Sequence, residues 1–229
     1  MQSSNIKVFG ITRFTLLDFP NTPSAIIWMA NCNMRCSYCH NPDIVFGENK
    51  KEFSEVLEFL KKRRRVLEGV VISGGEPTLH KDLKKICQAI KELDYKIKLD
   101  TNGSKPDCLK SLLEEELLDY IAIDLKATKN KYIDVTKRDL FDKVIESIKI
   151  TNSSNIDFEV RTTIHTDLLN EKDIEEISKI LKDIGFKGEF YIQNFIKANK
   201  LLGEIKDQKR ILNLNHLNLA IKTNFRNFY

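Results

Sequence analysis

Apolar residues along this chain follow two rhythms that alternate. Short continuous runs occupy residues 24–30 (SAIIWMA), 69–72, 96–99, 120–123, 156–163 and 189–192. Their length and β-branched content predict strands buried in a parallel sheet. Between them, apolar residues recur at helical spacing: Phe53, Val56, Leu57 and Leu60; Leu83, Ile86, Cys87 and Ile90; Leu109, Leu112 and Leu113. Phe141, Val144, Ile145 and Ile148 make a fourth stripe, and Ile174, Ile177, Leu181 and Ile184 a fifth. Asn170, with Asp173 three residues on, predicts a capped start for the last of these helices. Strand–helix alternation requires right-handed crossovers and a parallel sheet with helices outside. Six strands with five helices predict an α/β fold of the incomplete-barrel kind, not a closed eight-stranded one. In the tail, residues 199–229, the rhythm fades, and residues 219–225 are the one candidate for a further strand.

Polar residues gather where the predicted strands end. Cys32, Cys36 and Cys39 follow the first strand, and Ser73, Gly74, Gly75 and Glu76 the second. Asp100, Thr101, Asn102 and Gly103 follow the third, and Asp124 and Lys126 the fourth. His165 lies beyond the fifth, with Gln193 and Asn194 beyond the sixth. Parallel barrels build active sites from the loops at the C-terminal ends of their strands. Six polar groups at six such ends predict an enzyme.

Composition narrows the class. A chain of 229 residues can bury a sizeable core, and 41% hydrophobic with 31% charged residues describe an ordinary globule. A net charge of +4 is too small to point to nucleic acid or a membrane surface. No run approaches the roughly 18 apolar residues of a membrane span, and the opening MQSSNIK has no apolar leader. The expectation is a cytoplasmic protein with neither nucleic acid nor membrane as partner. The run Lys61, Lys62, Arg63, Arg64 and Arg65 follows a helical stripe and reads as a solvated face.

Five cysteines in such a protein point to metal or reactive thiols before disulfides. Three of them share one short segment, NCNMRCSYCHN, spaced C-x3-C-x2-C. Soft thiolates select iron–sulfur clusters, zinc or Cu(I). In a cubane of four irons, three cysteines leave one iron open to a substrate or cofactor. The alternative is a structural zinc site with His40 as fourth ligand, although adjacent Cys39 and His40 project in different directions. Cys87 lies on an apolar helical stripe and reads as a core thiol. Cys108 opens the next helix without a second cysteine pair, so no second cluster is expected.

CNMRCSYCHNP, ISGGEP, LDTNG and IDLK, in that order, resemble the radical S-adenosylmethionine (SAM) superfamily. More narrowly, CHNP with LDTNG is similar to activases of glycyl radical enzymes, above all those of anaerobic ribonucleoside-triphosphate reductase. The resemblance runs from about Ile11 to Phe195. It implies a partial (βα)6 TIM-like barrel, one domain over residues 1–229 with a core of about 11–195 and a C-terminal extension of about 199–229. It also implies a [4Fe–4S] cluster on Cys32, Cys36 and Cys39, with SAM chelating the open iron. The partners implied are a glycyl radical enzyme as protein substrate and a flavodoxin- or ferredoxin-type electron donor. Where pyruvate formate-lyase activases usually carry Asp-Gly-Pro-Gly, this chain has Asp18, Phe19, Pro20 and Asn21, which favours the reductase-activator subclass.

Site roles follow from the same resemblance, each beside a plainer reading. Tyr38 would pack by the adenine, or simply fill its loop. Gly74, Gly75 and Glu76 would receive the methionyl amino group, or form a turn. Asp100 and Asn102 would offer polar atoms near SAM, or cap a turn. Asp124 and Lys126 would contact the ribose, the SAM carboxylate or the partner's peptide, or pair with each other. His165 would contact the cofactor, or be a satisfied loop histidine. Three other readings stay open: an activase of another glycyl radical enzyme, such as pyruvate formate-lyase; a radical SAM enzyme acting on a small molecule, such as a deazaguanine-forming synthase; and a metal-binding structural protein.

Overall fold

The computed structural model describes residues 6–229; most of the opening stretch read for a leader lies outside them. In chain order the strands are β1 (Lys7–Val8), β2 (Gly10–Thr15), β3 (Ser24–Met29), β4 (Lys51–Glu52), β5 (Gly69–Gly74) and β6 (Lys96–Thr101). They continue as β7 (Tyr120–Asp124), β8 (Asp157–Ile164), β9 (Glu189–Asn194) and β10 (Thr223–Arg226). The helices are α1 (Pro42–Val45), α2 (Phe53–Arg63), α3 (Leu83–Lys91), α4 (Pro106–Glu114), α5 (Tyr132–Thr136), α6 (Phe141–Asn152) and α7 (Glu171–Asp183). All six expected strands and five expected helices form. The chain divides into two compact units that interleave in sequence.

The first unit holds the described residues up to 33, with 41–101 and 107–121. Its strand order is β2-β3-β5-β6, with β3, β5 and β6 parallel. β3 and β5 run in register from Ser24 opposite Gly69 to Met29 opposite Gly74. The pattern of buried residues explains the alignment: Ala25 and Ile27 turn to one face and Ile26 to the other, all nearly solvent-free. On one face Phe19, Ile26 and Val71 form a cluster, covered by Trp28 and Tyr120. β2 was not expected, because GITRFT is half-exposed and lacks an apolar run. It pairs antiparallel to β3, and Trp28 Nε1 donates to Thr12 Oγ1 at 2.9 Å across the hairpin. At the start of β6, Asp119 Oδ2 accepts from Ile97 N and from Lys91 Nζ, both at 2.6 Å.

The second unit holds residues 34–40, 102–106 and 122–229. Its strand order is β7-β8-β9-β10. β8, β9 and β10 are parallel, with Glu159 opposite Glu189 and Thr223 opposite Phe190. β10 is the expected late strand, shorter than residues 219–225 suggested. The even residues of β8 (Phe158, Val160, Thr162, Ile164) are buried, and α6 and α7 bury Val144, Ile148, Ile174, Ile177 and Leu181. The predicted cap forms as a reciprocal box: Asn170 Oδ1 accepts from Asp173 N, and Asp173 Oδ2 from Asn170 N at 2.6 Å. Among the described residues no helix is long and apolar enough to cross a membrane.

Candidate active site

In the first unit, the segment leading to Cys32 is fixed by backbone. Gly75 N donates to Met29 O at 2.8 Å, and Glu76 N to Asn31 O at 2.7 Å. The glycine pair is a steric necessity. A Cβ on Gly75 would stand 2.0 Å from Asn31 O, and one on Gly74, where φ is +128°, would stand 2.3 Å from Met29 O. The first task of these glycines is therefore to admit the protein's own chain. Ala30 is held at both ends as well. Its N–H donates to Asn49 Oδ1 at 2.8 Å, and its carbonyl accepts from His80 Nε2 at 2.6 Å. Asn49 Nδ2 sits 3.3 Å from His80 Nδ1, which fixes the imidazole with its proton on Nε2. Asn49 and His80 were not read from the sequence, and no motif marks them.

Glu76 is completely buried. Its Oε1 accepts from Thr78 N at 3.0 Å, Thr78 Oγ1 at 2.5 Å and Thr101 Oγ1 at 2.7 Å. The carboxylate thus ties the GGEP turn to the end of β6. Asp100 lies on β6 and pairs with Lys98, Nζ to Oδ1 at 2.5 Å, and Lys98 in turn rests over the Tyr120 ring. Lys98 was overlooked, although the alternation in KIKLDT places it on the face of Asp100.

In the second unit, the Cys36–Cys39 segment makes a turn, Cys39 N donating to Cys36 O at 3.0 Å. Tyr38 is buried within it, and its Oη has no hydrogen-bond partner among the described residues. Burial, reinforced by nearby Cys36, pushes that hydroxyl well above the ordinary tyrosine value. At the end of β7, Asp124 accepts from Arg161 Nε at 2.9 Å and from Lys126 Nζ at 3.2 Å. Burial works against the Asp124 carboxylate, but Arg161 and then Lys126 outweigh it and hold its pKa to about 2. Burial likewise opposes the Lys126 charge, and Asp124 reverses it, raising the ammonium above its usual value. Glu159 is buried between two arginines, 3.7 Å from Arg161 Nη1 and 3.1 Å from Arg226 Nη2. Neither Glu159 nor Arg161 was read from the sequence, though alternation in DFEVRTTI places both on one face of β8.

The remaining expected residues take quieter places. Asn102 Oδ1 accepts from Ser104 N at 3.0 Å, closing the turn that was its plainer reading. His165 is solvent-free, with Nε2 donating to Lys206 O at 3.0 Å and Nδ1 accepting from Asp167 N at 3.3 Å. His40 sets its ring edge-on against Phe195, centroids 5.5 Å apart. Gln193 and Asn194 lie within β9, not beyond it, and Asn194 Oδ1 accepts from Gln208 Nε2 at 2.9 Å.

Residues 26–184 match the sequence profile of the radical SAM superfamily. The chain belongs to this superfamily. Two relatives from Methanocaldococcus jannaschii are proposed glycyl-radical enzyme activating enzymes. One is 36% identical over 77% of this chain and 75% of its own. The other is 32% identical over 98% of this chain and 88% of its own. The GTP 3′,8-cyclase of Synechocystis is 26% identical over 77% of this chain and 59% of its own. Among solved structures, SuiB of Streptococcus suis bound to S-adenosylmethionine superposes with a TM-score of 0.63 at 17% identity. That match covers 77% of this chain and 41% of the longer SuiB chain, and it shows the fold alone: the parallel-strand-rich α/β fold of radical SAM enzymes.

A radical SAM enzyme uses SAM and an iron–sulfur cluster, and the residues present fit both. None of the five cysteines is in a disulfide, so three thiols remain on the 32–39 segment to ligate iron. Among the described residues no three His, Cys, Asp or Glu side chains gather around a single ion. In a cubane each thiolate holds a different iron. A buried tyrosine hydroxyl lacking a partner, a firmly ionised Asp124 and a charged Lys126 suit a ligand with an aromatic ring, hydroxyls and a carboxylate.

Proposed function

We propose that this radical SAM protein is an activase of a glycyl radical enzyme, with a [4Fe–4S] cluster on Cys32, Cys36 and Cys39. The observation that carries the reading is the likeness to two proposed activating enzymes across 75% and 88% of their lengths. Held by these three cysteines, a cluster would supply the one electron that reductive cleavage of SAM requires, and so the radical chemistry that removes a hydrogen atom from the substrate. Tyr38 packs against the adenine and offers its buried hydroxyl. The backbone at Gly74 and Gly75, with Glu76, accepts from the methionyl ammonium. Lys126 pairs with the SAM carboxylate, and Asp124 accepts from a ribose hydroxyl. Asp100, paired with Lys98, and Asn102 serve the substrate side. His165 has both ring nitrogens engaged by backbone, so we assign it to anchoring and not to the cofactor.

The substrate in this reading is a backbone glycine of anaerobic ribonucleoside-triphosphate reductase, with a flavodoxin or ferredoxin as electron donor. The test mixes reduced protein, SAM and that reductase under nitrogen and records an EPR spectrum. A doublet that collapses when the reductase glycine is deuterated at Cα supports the proposal. The cyclase likeness favours a second reading, a small-molecule substrate. No protein radical, together with SAM cleavage stimulated by GTP, would replace the first reading by the second.

A further inference from the structure

Residues beyond Phe195 fall outside the superfamily match, which ends at 184, and carry none of its motifs. Yet part of this segment lies directly on the cysteine turn. Leu202 N donates to Cys39 O, and Gly203 N donates to Ser37 O, each at 3.0 Å. The contact is close enough to need glycine: a Cβ on Gly203 would stand 2.8 Å from Ser37 Cβ and 2.9 Å from Ser37 Cα. The chain is then tied down residue by residue to the ends of β8 and β9. His165 Nε2 holds Lys206 O, and Gln208 bridges Asn194 Oδ1 at 2.9 Å and Thr166 N at 3.2 Å. Thr166 Oγ1 donates to Arg210 O at 2.6 Å. Arg210 closes the series with a two-pronged pair on Glu171, at 2.6 and 2.9 Å.

These contacts have one common result. The peptide carbonyls at Ser37 and Cys39 are fixed from outside the turn, so the side chains of Cys36 and Cys39 leave a backbone that cannot relax independently. A nine-residue stretch without regular structure is anchored at four residues outside the cysteine segment, His165, Thr166, Glu171 and Asn194, and meets that segment at its own beginning. Ordering such a stretch costs backbone entropy, which only anchors of this kind offset.

We infer that residues 202–210 are a latch that positions the Cys36–Cys39 turn for cluster binding, with Gly203, Gln208 and Arg210 as positioning residues. The inference rests on the cluster reading of Cys36 and Cys39. Loss of the latch is expected to leave the cysteines present but their turn mobile. The cluster then forms, is held less firmly and has altered symmetry around the iron.

The test uses the full chain and the variants Gly203→Val, Gln208→Ala, Arg210→Ala and Arg210→Lys. Iron-free protein is alkylated under native conditions, and the rate at Cys36 and Cys39 is read by peptide mass mapping. Anaerobically reconstituted protein is bleached with a chelator, and the reduced cluster is examined by EPR. Losing one or two latch hydrogen bonds should raise alkylation and bleaching about tenfold, with a changed EPR line shape and a largely restored Arg210→Lys. Alkylation of Cys87 should not change. Wild-type alkylation, bleaching and EPR in both Gln208→Ala and Arg210→Ala would overturn the latch, even if Gly203→Val fails to fold. A wild-type protein that binds no iron would overturn the cluster reading instead, and alkylation would still decide whether the latch restrains the turn.

Discussion

The two units hold their shares of the cysteine segment by different means. In the first, the residues before Cys32 are fixed by the GGEP turn: two backbone hydrogen bonds, a glycine pair without room for a Cβ, and the Asn49–His80 clamp on Ala30. In the second, the turn carrying Cys36 and Cys39 is fixed by a chain segment more than 160 residues downstream. The first arrangement is centred on the GGEP motif and leaves a signature, with only the Asn49–His80 clamp outside it. The second joins two backbone hydrogen bonds on the turn to side-chain anchors scattered from His165 to Arg210, and leaves no contiguous signature. A motif therefore reports where the chain must not vary, and says little about what else holds the same site in place.

The largest expected effect removes the site itself. Cys36→Ala should abolish cluster binding and SAM cleavage, and iron analysis with visible absorbance checks this. Cys87→Ala and Cys108→Ala should keep the iron. If Cys36→Ala retained a full cluster, the assignment of the second unit's cysteines would fail.

Next come changes to the rigid first unit. Gly75→Ala places a methyl group against Asn31 O, which is backbone and cannot swing aside. Urea unfolding should show a loss above about 3 kcal/mol, in the upper part of the range for single substitutions. Glu76→Ala strands three donors from Thr78 and Thr101 and should lose about 2–4 kcal/mol before any effect on SAM is read. A stable Gly75→Ala would show that the glycine pair is not what fixes the loop.

In the second unit the charged network should separate binding from folding. Asp124→Asn removes the charge that Lys126 and Arg161 share, while keeping the shape. SAM affinity should fall about tenfold to a hundredfold by anaerobic calorimetry. Arg161→Met should destabilise the fold by about 3 kcal/mol, because it leaves buried Glu159 and half-buried Asp124 with fewer partners. Unchanged SAM affinity in Asp124→Asn would remove this network from the cofactor site.

The smallest effect is a pH dependence of the latch. Hydrogen bonds from Arg210 hold the Glu171 carboxyl to about 2. The folded value is thus below the ordinary one of about 4.3, and the stabilisation is complete above that pH and lost as pH falls toward 2. Protection of the amides at residues 208–213, taken against the unstructured exchange rate at each pH, should fall across that window in the wild type, and should lose this pH dependence in Arg210→Ala.

Most of the fold was legible because burial on both faces writes itself as unbroken apolar runs, and helices as stripes. β2 escaped because one of its sides faces solvent and GITRFT carries no run. Strand ends fell short because Gly74, Thr101 and Asp124 are polar or small yet still hydrogen-bonded in the sheet. At the site, the cysteines, Glu76 and Asp124 stood out by motif, whereas Arg161, Glu159 and Lys98 required trusting alternation inside a buried strand. His165 was conspicuous at a strand end, and its two ring nitrogens hydrogen-bond the backbone of Lys206 and Asp167. The latch was not legible at all, since residues 202–210 carry no apolar run or stripe and their anchors, part peptide and part side chain, are scattered along the chain.

The order of synthesis gives the latch a further consequence. Ribosomes add about 5–20 residues per second, so residue 203 appears roughly ten to thirty seconds after the cysteine turn. Throughout that interval the nascent turn has no downstream strap to restrain it. Cluster delivery during translation would meet an open, compliant ligand loop, and delivery after release would meet a closed one. The stiffness of the loop that cluster delivery meets is thereby tied to whether residues 202–210 have yet been made.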